Sequence, residues 1–396
     1  QMNKQNMRVL ILGARAPVSL EWARAFQSVG AYVCVADSLS VPLARFSRSI
    51  NHFFKLPCAA TDTRAWLHTL IQIIREQSID MLLPTCEEVF YVSHCLPQLS
   101  LHCRVPVMGF EHMQRLHHKG QFAELTQDFE VRAPETHLLQ SKSDLGRFVA
   151  NSQNWVFKPA YSRFAVKTLI RPAHTDLHQV EPSETCPWVA QRYVKGQEFC
   201  TYSILINGKV TAHACYQPRY RVGQGAGIYL EPVAIPAIEH FVRAFGRATQ
   251  YTGQVGFDFI QDASGQCHVL ECNPRATSGL HLLAHNPVQL TQALWVASDD
   301  VAVFSSNVPQ MIGLAMVLFV APKKLFSKQF WQDFQRAQDI MIRPMDWRPF
   351  LNQPLSLMEL CWVALKNRCG LLDASTLDIA WNGQEIQKMP EMWEVT

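Results

Sequence analysis

The sequence has 396 residues, of which 48% are apolar; this is enough for two or three domains with hydrophobic cores and excludes a disordered or fibrous chain. Its 36 Lys and Arg residues against 33 Asp and Glu residues leave a net charge of +3, which is too small to indicate a nucleic acid or a membrane surface as a partner. The 12 Cys residues are scattered, without the paired spacing of a zinc site, and predict reduced thiols in a cytoplasmic protein.

Alternating strands and helices are predicted at the start of the chain, because short apolar runs alternate with stretches of helical periodicity. The predicted strands are residues 8–12, 32–36 and 81–83, and the predicted helices are residues 19–29 and 65–77. This order is typical of a parallel α/β domain, so we expect a Rossmann-like domain over residues 1–110.

Gly13 and Asp37 are placed as in a dinucleotide-binding domain, where a glycine turn holds the pyrophosphate and an acidic residue binds a ribose hydroxyl. The residues after Gly13 are Ala14-Arg15-Ala16-Pro17, so the second and third glycines of that pattern are absent. The pattern therefore favours a structural or substrate-facing domain over an NAD site and an oxidoreductase.

Two lysines stand out in the next part of the chain. Lys119 lies on a predicted helix beside two histidines, and Lys158 lies near the end of a predicted apolar strand, just before a loop. Further strands are predicted over residues 188–194 and 199–206, and Asn207-Gly208 predicts a tight hairpin turn.

Acidic and amide side chains are concentrated further on. Two strands joined by a short turn are predicted to be antiparallel neighbours, which brings Asp258 close to Glu271 and Asn273, with Arg275 just beyond them. Carboxylate and amide oxygens suit Mg²⁺, which takes its remaining ligands from water and nucleotide phosphates. A metal and phosphate site is one interpretation of this segment, and a solvated hairpin is the other.

Taken in order, these residues resemble the nucleotide site of the ATP-grasp superfamily. The resemblance covers about residues 7–295 and is carried by Lys119, Lys158-Pro159, Gln191-Arg192-Tyr193-Val194, Glu198, Asp258 and Glu271-x-Asn273-Pro274-Arg275. The spacing of the acidic residues is similar to that of D-alanine:D-alanine ligases. The Asn-Pro-Arg motif and Pro84-Thr85-Cys86-Glu87-Glu88 look nearer to carbamoyl phosphate synthase.

The resemblance implies a fold of the α/β and α+β classes. A Rossmann-like N-terminal domain over residues 1–110 is expected to precede a two-subdomain ATP-grasp domain over residues 111–300 and a C-terminal α+β appendage over residues 301–396. Within the ATP-grasp domain, the small subdomain is expected over about residues 135–194 and the large subdomain over about residues 195–300.

The resemblance also assigns roles to residues. The residues expected to bind ATP are Lys119, Lys158, Arg163, Gln191, Arg192, Tyr193, Val194 and Glu198, with main-chain groups of Arg192 and Val194 at the adenine edge. Asp258, Glu271 and Asn273 are expected to hold Mg²⁺, with Mn²⁺ as an alternative ion. Arg275 and Lys158 are expected to be catalytic, because fixed positive charge stabilises a transferring phosphoryl group.

These roles imply a ligase that activates a carboxylate as an acyl phosphate and joins it to an amine or a thiol, releasing ADP and phosphate. The expected partners are small-molecule carboxylates and amines, and relatives suggest a homodimer. One departure matters: the family has a glycine-rich loop after the lysine strand, whereas residues 160–167 contain no glycine. An ATP-grasp phosphotransferase or a non-ligating ATP-binding regulator therefore remains as an alternative.

The substrate side is represented by Arg219, Arg221 and His213, which lie on a strand-like stretch. The two arginines could bind a substrate carboxylate in bidentate fashion, but an exposed edge strand with charged residues explains them equally well. A histidine at such a position is more often packed in a core than catalytic.

The C-terminal region predicts structural elements. The apolar run over residues 311–321 is too short for a membrane span and predicts a buried strand, and helices are expected near residues 328–336 and 357–367. The tryptophans expected to fill a core here are Trp331, Trp347, Trp362 and Trp381. This region is expected either to cover the ATP site or to form a dimer face.

Overall fold

The computed structural model of the chain describes residues 7–162, 167–221, 227–297 and 303–389. In this part of the chain, three β-sheets follow one another along the sequence: a parallel N-terminal sheet, a small antiparallel sheet and a larger mixed sheet. The predicted combination of α/β and α+β architecture is confirmed.

The N-terminal sheet has four parallel strands in the order β3-β2-β1-β4. The strands are β1 (Arg8–Leu12), β2 (Tyr32–Asp37), β3 (His52–Lys55) and β4 (Met81–Leu83). The helices are α1 (Pro17–Ser28), α2 (Thr63–Glu76), α3 (Val89–His94) and α4 (Leu96–Leu99). Since α1 and α2 pack on opposite faces, β1 and β4 are buried almost throughout. The predicted Rossmann-like topology is confirmed.

The turn after β1 is filled by side chains of the same domain. Gly13 has φ +72°, and a Cβ there would lie 2.6 Å from Thr85 Oγ1, so this position requires glycine. The Arg15 N–H and Nε donate hydrogen bonds to Asp37 at 2.9 and 3.1 Å. In a dinucleotide site the Asp37 carboxylate would bind a ribose hydroxyl, but here it is bound by Arg15. This contact supports a structural role for the domain over NAD binding.

The small sheet is antiparallel, with the order β5-β8-β6-β7. Its strands are β5 (Thr136–Leu139), β6 (Trp155–Pro159), β7 (Leu169–Ile170) and β8 (Trp188–Arg192). The helices α5 (Phe110–His117) and α6 (Lys119–Leu125) lead into it, and α7 (Lys142–Gly146) follows β5. This sheet has a separate hydrophobic cluster, which includes Phe148, Phe157 and Trp188.

The large sheet is built around the hairpin of β9 (Gly196–Ile206) and β10 (Lys209–Arg221). Asn207 and Gly208 form its turn, both with positive φ (49° and 76°), as the predicted two-residue turn requires. The strand order is β13-β12-β9-β10-β11-β15-β16, with β14 paired to β10. The remaining elements are β11 (Gly227–Pro232), α8 (Pro236–Thr249), β12 (Gly253–Asp262), β13 (Cys267–Asn273), α9 (Pro287–Gln292), β14 (Val303–Phe304), β15 (Gln310–Met311) and β16 (Gln338–Asp339).

Residues 311–321 are mostly helical, so the predicted strand is wrong. After β15 the chain turns into α10 (Gly313–Ala315), a π-helical turn (Met316–Val320) and α11 (Ala321–Lys324). Met316 and Val320 are buried whereas Leu318 and Phe319 are exposed, which is a helical spacing. Pro322 lies in the first turn of α11, where no main-chain N–H is needed. A short apolar run does not by itself separate a strand from a helix.

The helices that follow are α12 (Lys328–Arg336), α13 (Arg348–Leu351), α14 (Gln353–Asn367) and α15 (Leu371–Ala374). The prediction of residues 328–336 is confirmed, and the helix predicted over residues 357–367 lies within α14. No residue of α14 is fully buried; Glu359 attaches it to the N-terminal domain by accepting the N–H groups of Ser40 and Val41 at 2.7 and 2.8 Å.

The tryptophans of this region differ in burial. Trp381 is 1% exposed, as predicted for a core residue. Trp331, Trp347 and Trp362 are 38%, 44% and 61% exposed, so the core prediction is wrong for these three. Within the described ranges, no helix combines the length and the apolar character needed to cross a bilayer.

Candidate active site

Asp258 and Glu271 face each other across neighbouring strands. The antiparallel register pairs Asp258 of β12 with Glu271 of β13. Phe257 and Phe259, on either side of Asp258, pack edge-on against α8, so strand alternation directs Asp258 to the opposite face of the sheet. Asn273 Nδ2 lies 3.5 Å from Asp258 Oδ2. The predicted proximity of these three polar side chains is confirmed.

Two buried lysines converge on Glu271. Lys119, at the start of α6, has its Nζ 3.5 Å from Glu271 Oε2, and Lys158, on β6, has its Nζ 4.0 Å from the same oxygen. The Lys119 Nζ also donates a hydrogen bond to Ser162 O at 2.8 Å. Because β6 belongs to the small sheet and β13 to the large one, the charge cluster forms where the two sheets meet.

These charges shift one another's pKa values. Burial and the neighbouring Glu271 carboxylate raise the pKa of Asp258 to about 7. Burial acts in the same direction on Glu271, but the ammonium groups of Lys119 and Lys158 outweigh it and lower the pKa of Glu271 to about 2. Burial lowers the pKa of Lys158 to about 8. Two carboxylates in contact repel each other, and a divalent cation would offset that repulsion, so this donor set fits Mg²⁺.

Arg275 is held by the N-terminal domain. Its Nε donates to Glu87 Oε1 at 2.6 Å, and its Nη2 donates to Asn273 Oδ1 at 3.3 Å. Glu87 is 2% exposed and lies in the turn between β4 and α3. The sequence marked this turn as family-like without placing Glu87 in the site, since nothing in the spacing connects residues 188 positions apart.

His117 is a second residue that the sequence did not place in the site. Its Nε2 has no hydrogen-bond partner among the described residues, and burial lowers the pKa of its imidazole to about 4. Glu87 and Lys119 are among the charged groups that act on it. The only feature of the sequence that pointed to His117 was its position two residues before Lys119.

The strand predicted at the adenine edge is central in the small sheet. Gln191 is buried and donates its side-chain amide to a threonine of β5 at 3.1 Å. The N–H groups of Arg192 and Tyr193 donate to the carbonyl oxygens of Glu135 and Asn154 at 2.8 and 2.9 Å. The Arg192 N–H is therefore already bonded to the residue just before β5 and is not available to an adenine base.

Several predicted binding residues contact each other or other elements. Val194 follows the end of β8, and Glu198, on β9, forms an ion pair with Arg221 of β10. Arg219 is directed towards the C-terminal region, with its Nη1 3.0 Å from Asp333 Oδ1 of α12. The structure therefore pairs Arg221 with Glu198, a predicted ATP-binding residue, and gives Arg219 a partner in α12.

His213 lies in the core. It is buried, its Nδ1 is 2.9 Å from Ser203 Oγ, and burial lowers its pKa to about 4. Among the charged groups that act on it are Glu239 and Arg243 of α8, so it lies on the α8 face of the sheet, opposite Asp258. These contacts support the packed-core interpretation over a substrate role. Arg163, expected to bind ATP, lies outside the described residues.

In the described ranges, no group of three or more His, Cys, Asp and Glu side chains is arranged to hold a metal ion. The candidate ion site offers two carboxylates and one amide, and Mg²⁺ commonly completes such a shell with water and phosphate oxygens. Cavities of about 350 and 290 Å³ lie elsewhere, one beside Tyr91 and Gln384 and one beside Glu21 and His281.

Comparison with solved structures shows a known fold. N5-carboxyaminoimidazole synthetase from Staphylococcus aureus, complexed with ADP, matches with a TM-score of 0.62 and 15% identity over 82% of this chain and 88% of that chain. L-amino acid ligase from Bacillus licheniformis matches with a TM-score of 0.56 and 16% identity over 74% of this chain and 75% of that chain. This chain has the ATP-grasp fold. The β-γ-ATP complex of biotin carboxylase from Campylobacter jejuni has the same fold, with a TM-score of 0.57 and 11% identity over 78% of this chain and 75% of that chain.

The ATP-grasp resemblance found in the sequence is confirmed at the level of the fold. No family model matches the sequence, and no curated protein sequence matches it.

Proposed function

We propose that the chain is an ATP-dependent ligase that activates a small-molecule carboxylate as an acyl phosphate and couples it to an amine. The observation that carries the proposal is the convergence of Lys119 and Lys158 on Glu271, opposite Asp258, in an ATP-grasp fold. Fixed cations beside a carboxylate pair suit a magnesium nucleotide, because preorganised charge in a site with little water stabilises phosphate oxygens.

Asp258, Glu271 and Asn273 are the residues that would hold Mg²⁺. When bound, the ion supplies positive charge to the phosphate oxygens during phosphoryl transfer. We assign the phosphates of ATP to Lys119 and Lys158, whose ammonium groups are buried beside the carboxylates. Mn²⁺ accepts the same oxygen ligands.

In the proposed reaction, a carboxylate oxygen of the substrate attacks the γ-phosphorus and ADP leaves, which forms the acyl phosphate. The amine nitrogen then attacks the acyl carbon, phosphate leaves, and the nitrogen loses a proton as the amide forms. We assign to Arg275, held by Glu87, the neutralisation of the acyl phosphate. The protein contributes positioning and charge and forms no covalent bond to the substrate.

The test is release of ADP and phosphate from Mg-ATP with pooled carboxylates and pooled amines. Release that requires both pools is expected. Glu271→Ala should abolish turnover. The change also removes the anion shared by the buried Lys119 and Lys158 and should lower the stability, so circular dichroism is used to show that the variant is folded under the assay conditions. Glu239→Ala, on α8 at the opposite face of the sheet, is the matched control. Normal turnover by Glu271→Ala would contradict the assignment.

A phosphotransferase or a non-ligating regulator is the second candidate, because residues 160–167 lack the glycines of the family's phosphate loop. Phosphoryl transfer to one pool alone would favour the phosphotransferase. Binding of Mg-ATP without phosphate release in any pool would favour the regulator.

A further inference from the structure

The C-terminal segment, residues 376–389, lies on the N-terminal domain. The Asp378 carboxylate accepts hydrogen bonds from Arg15 Nη1 at 2.7 Å and Nη2 at 2.8 Å, and its main-chain oxygen accepts one from the Ala60 N–H at 3.2 Å. Two residues later, Tyr91 OH donates to Ala380 O at 3.2 Å. These bonds fix the segment immediately before Trp381.

Trp381 extends this attachment to the loop that follows β6. Its ring is 1% exposed, with its centroid 5.4 Å from that of Phe90 and 5.0 Å from that of Tyr161. Its Nε1 donates to Gln384 O at 2.7 Å, which closes a turn around Gly383. Gly383 has φ +95°, and a Cβ there would lie 2.8 Å from the Tyr161 ring. The turn and the tyrosine are therefore in close contact.

Tyr161 lies between the two residues whose carbonyl groups hold Lys119. The Lys119 N–H donates to Ala160 O at 3.0 Å, and its Nζ donates to Ser162 O at 2.8 Å. The Tyr161 ring also packs edge-on against His118, the residue before Lys119, with 4.9 Å between centroids. A displacement of Tyr161 would move the groups that direct the Lys119 ammonium towards Glu271.

We propose that Tyr161 and Trp381 are positioning residues of the nucleotide site, and that the docked C-terminal segment sets nucleotide affinity through their contact. The inference rests on the proposed function, because Lys119 is assigned there to the phosphates of ATP. Coupling of this kind is reciprocal, so a bound nucleotide also strengthens the docking of the segment.

The test is calorimetric titration of Mg-ADP into the full chain and into Tyr161→Ala, Trp381→Ala and the double variant. Each single variant is expected to weaken binding about tenfold. The double variant is expected to bind no more weakly than the worse single variant, because both changes remove the same contact. Trp381→Phe, which keeps a ring, should retain most of the affinity.

Val33→Ala is the matched control, since Val33 is a buried residue of β2 that packs in the hydrophobic cluster on the face of the N-terminal sheet opposite Trp381. It should lower the melting temperature and leave the dissociation constant unchanged. Dissociation constants within about twofold of the wild type in both single variants would show a purely structural contact and overturn the proposal. Additive losses in the double variant would also contradict it.

The test also covers misfolding of a variant and a failure of the wild type to bind nucleotide. If Trp381→Ala does not fold, Tyr161→Ala compared with Tyr161→Phe decides the question, because the second change keeps the ring that contacts Trp381. Failure of the wild type to bind Mg-ADP would overturn the proposed nucleotide site itself, and that result is seen before any variant is compared.

Discussion

Arg275 and Glu87 form an ion pair between two parts of the molecule: Glu87 lies in the turn after β4 of the N-terminal sheet, and Arg275 follows β13 of the large sheet. The Arg275 side chain is 16% exposed and that of Glu87 is 2% exposed. Burial opposes the charge on Arg275, but Glu87 outweighs it and raises the Arg275 pKa above its usual value. The Arg275 guanidinium therefore stays charged, and loss of Glu87 would leave it without its nearest carboxylate partner.

Glu87→Ala is therefore expected to lower the free energy of unfolding by about 2–3 kcal/mol, because the Arg275 guanidinium loses its nearest anion. Urea unfolding measures this change. The control is Glu76→Ala, at an exposed helix end, with an expected effect below about 0.5 kcal/mol. Equal effects of the two substitutions would show that the ion pair contributes nothing specific.

Site residues that are brought together by local structure could be predicted from the sequence. Asp258 and Glu271 belong to strands joined by a short turn, so their contact follows from strand pairing. Lys119 and Lys158 were found by their order along a family-like series, and the structure places both next to Glu271. Glu87 could not be found in this way, because its contact with Arg275 depends on how the N-terminal domain docks.

At the scale of elements, one buried carboxylate of α12 joins this helix to several donors, two of them on the large sheet. Asp333 is 2% exposed and accepts hydrogen bonds from Arg219 at 3.0 Å and from Tyr220 OH at 2.8 Å, both on β10, and from Gln329 at 3.0 Å. A buried carboxylate with three donors is well compensated, and its donors lose their partner together when it is removed.

Asp333→Ala should destabilise the fold by about 1–3 kcal/mol, because it removes the acceptor shared by Arg219, Tyr220 and Gln329, while Arg219 keeps Glu231 as a partner at 3.2 Å. Thermal unfolding followed by circular dichroism measures the loss. Asp373→Ala, in the first turn of α15, is the control with the same change of charge. A melting temperature equal to that of the control would contradict this account of α12.

The helical stretch after β15 shows why this region was harder to predict. Met316 and Val320 pack in a cluster with Phe330 of α12, and their burial at a spacing of four is decided by that partner. The same apolar run, read without a partner, satisfied the criterion for a buried strand. By contrast, Asn207-Gly208 defined its hairpin correctly because the turn geometry is local.

At the scale of the whole molecule, Arg15 joins the two ends of the chain. Its guanidinium contacts Asp37 at the end of β2 and Asp378 of the C-terminal segment. Burial acts to raise the pKa of Asp378, but the hydrogen bonds and charge of Arg15 outweigh it and lower that pKa below its usual value of 3.8. Docking of the C-terminal segment is thus linked to the ionisation of one carboxylate.

The pH dependence of this link has a definite sign. A lowered pKa in the folded state means that the ionised carboxylate contributes stability that is fully present above about pH 5 and is lost as the pH falls below 3.8. Asp378→Asn should therefore cost about 1–2 kcal/mol at neutral pH, and the difference from the wild type should shrink below about pH 4. Urea unfolding of both proteins across this range measures it. A difference that is constant down to the lowest pH would contradict the link.

The charge cluster draws on α6, β6, β12 and β13, so a ligand bound there joins the small sheet to the large one and should stabilise the whole fold. A ligand at about 100 times its dissociation constant adds about 2.7 kcal/mol to the stability of the state that binds it.

The metal should decide how large this stabilisation is, because Asp258 and Glu271 repel each other. ADP alone brings more negative charge to the cluster. Mg-ADP brings a cation for the carboxylates and phosphates for Lys119 and Lys158. Mg-ADP is therefore expected to raise the melting temperature by several degrees, and ADP with excess chelator to raise it much less. Equal shifts with and without the metal would mean that the nucleotide binds without the carboxylate pair, and the metal assignment would then be wrong even though the nucleotide site was right.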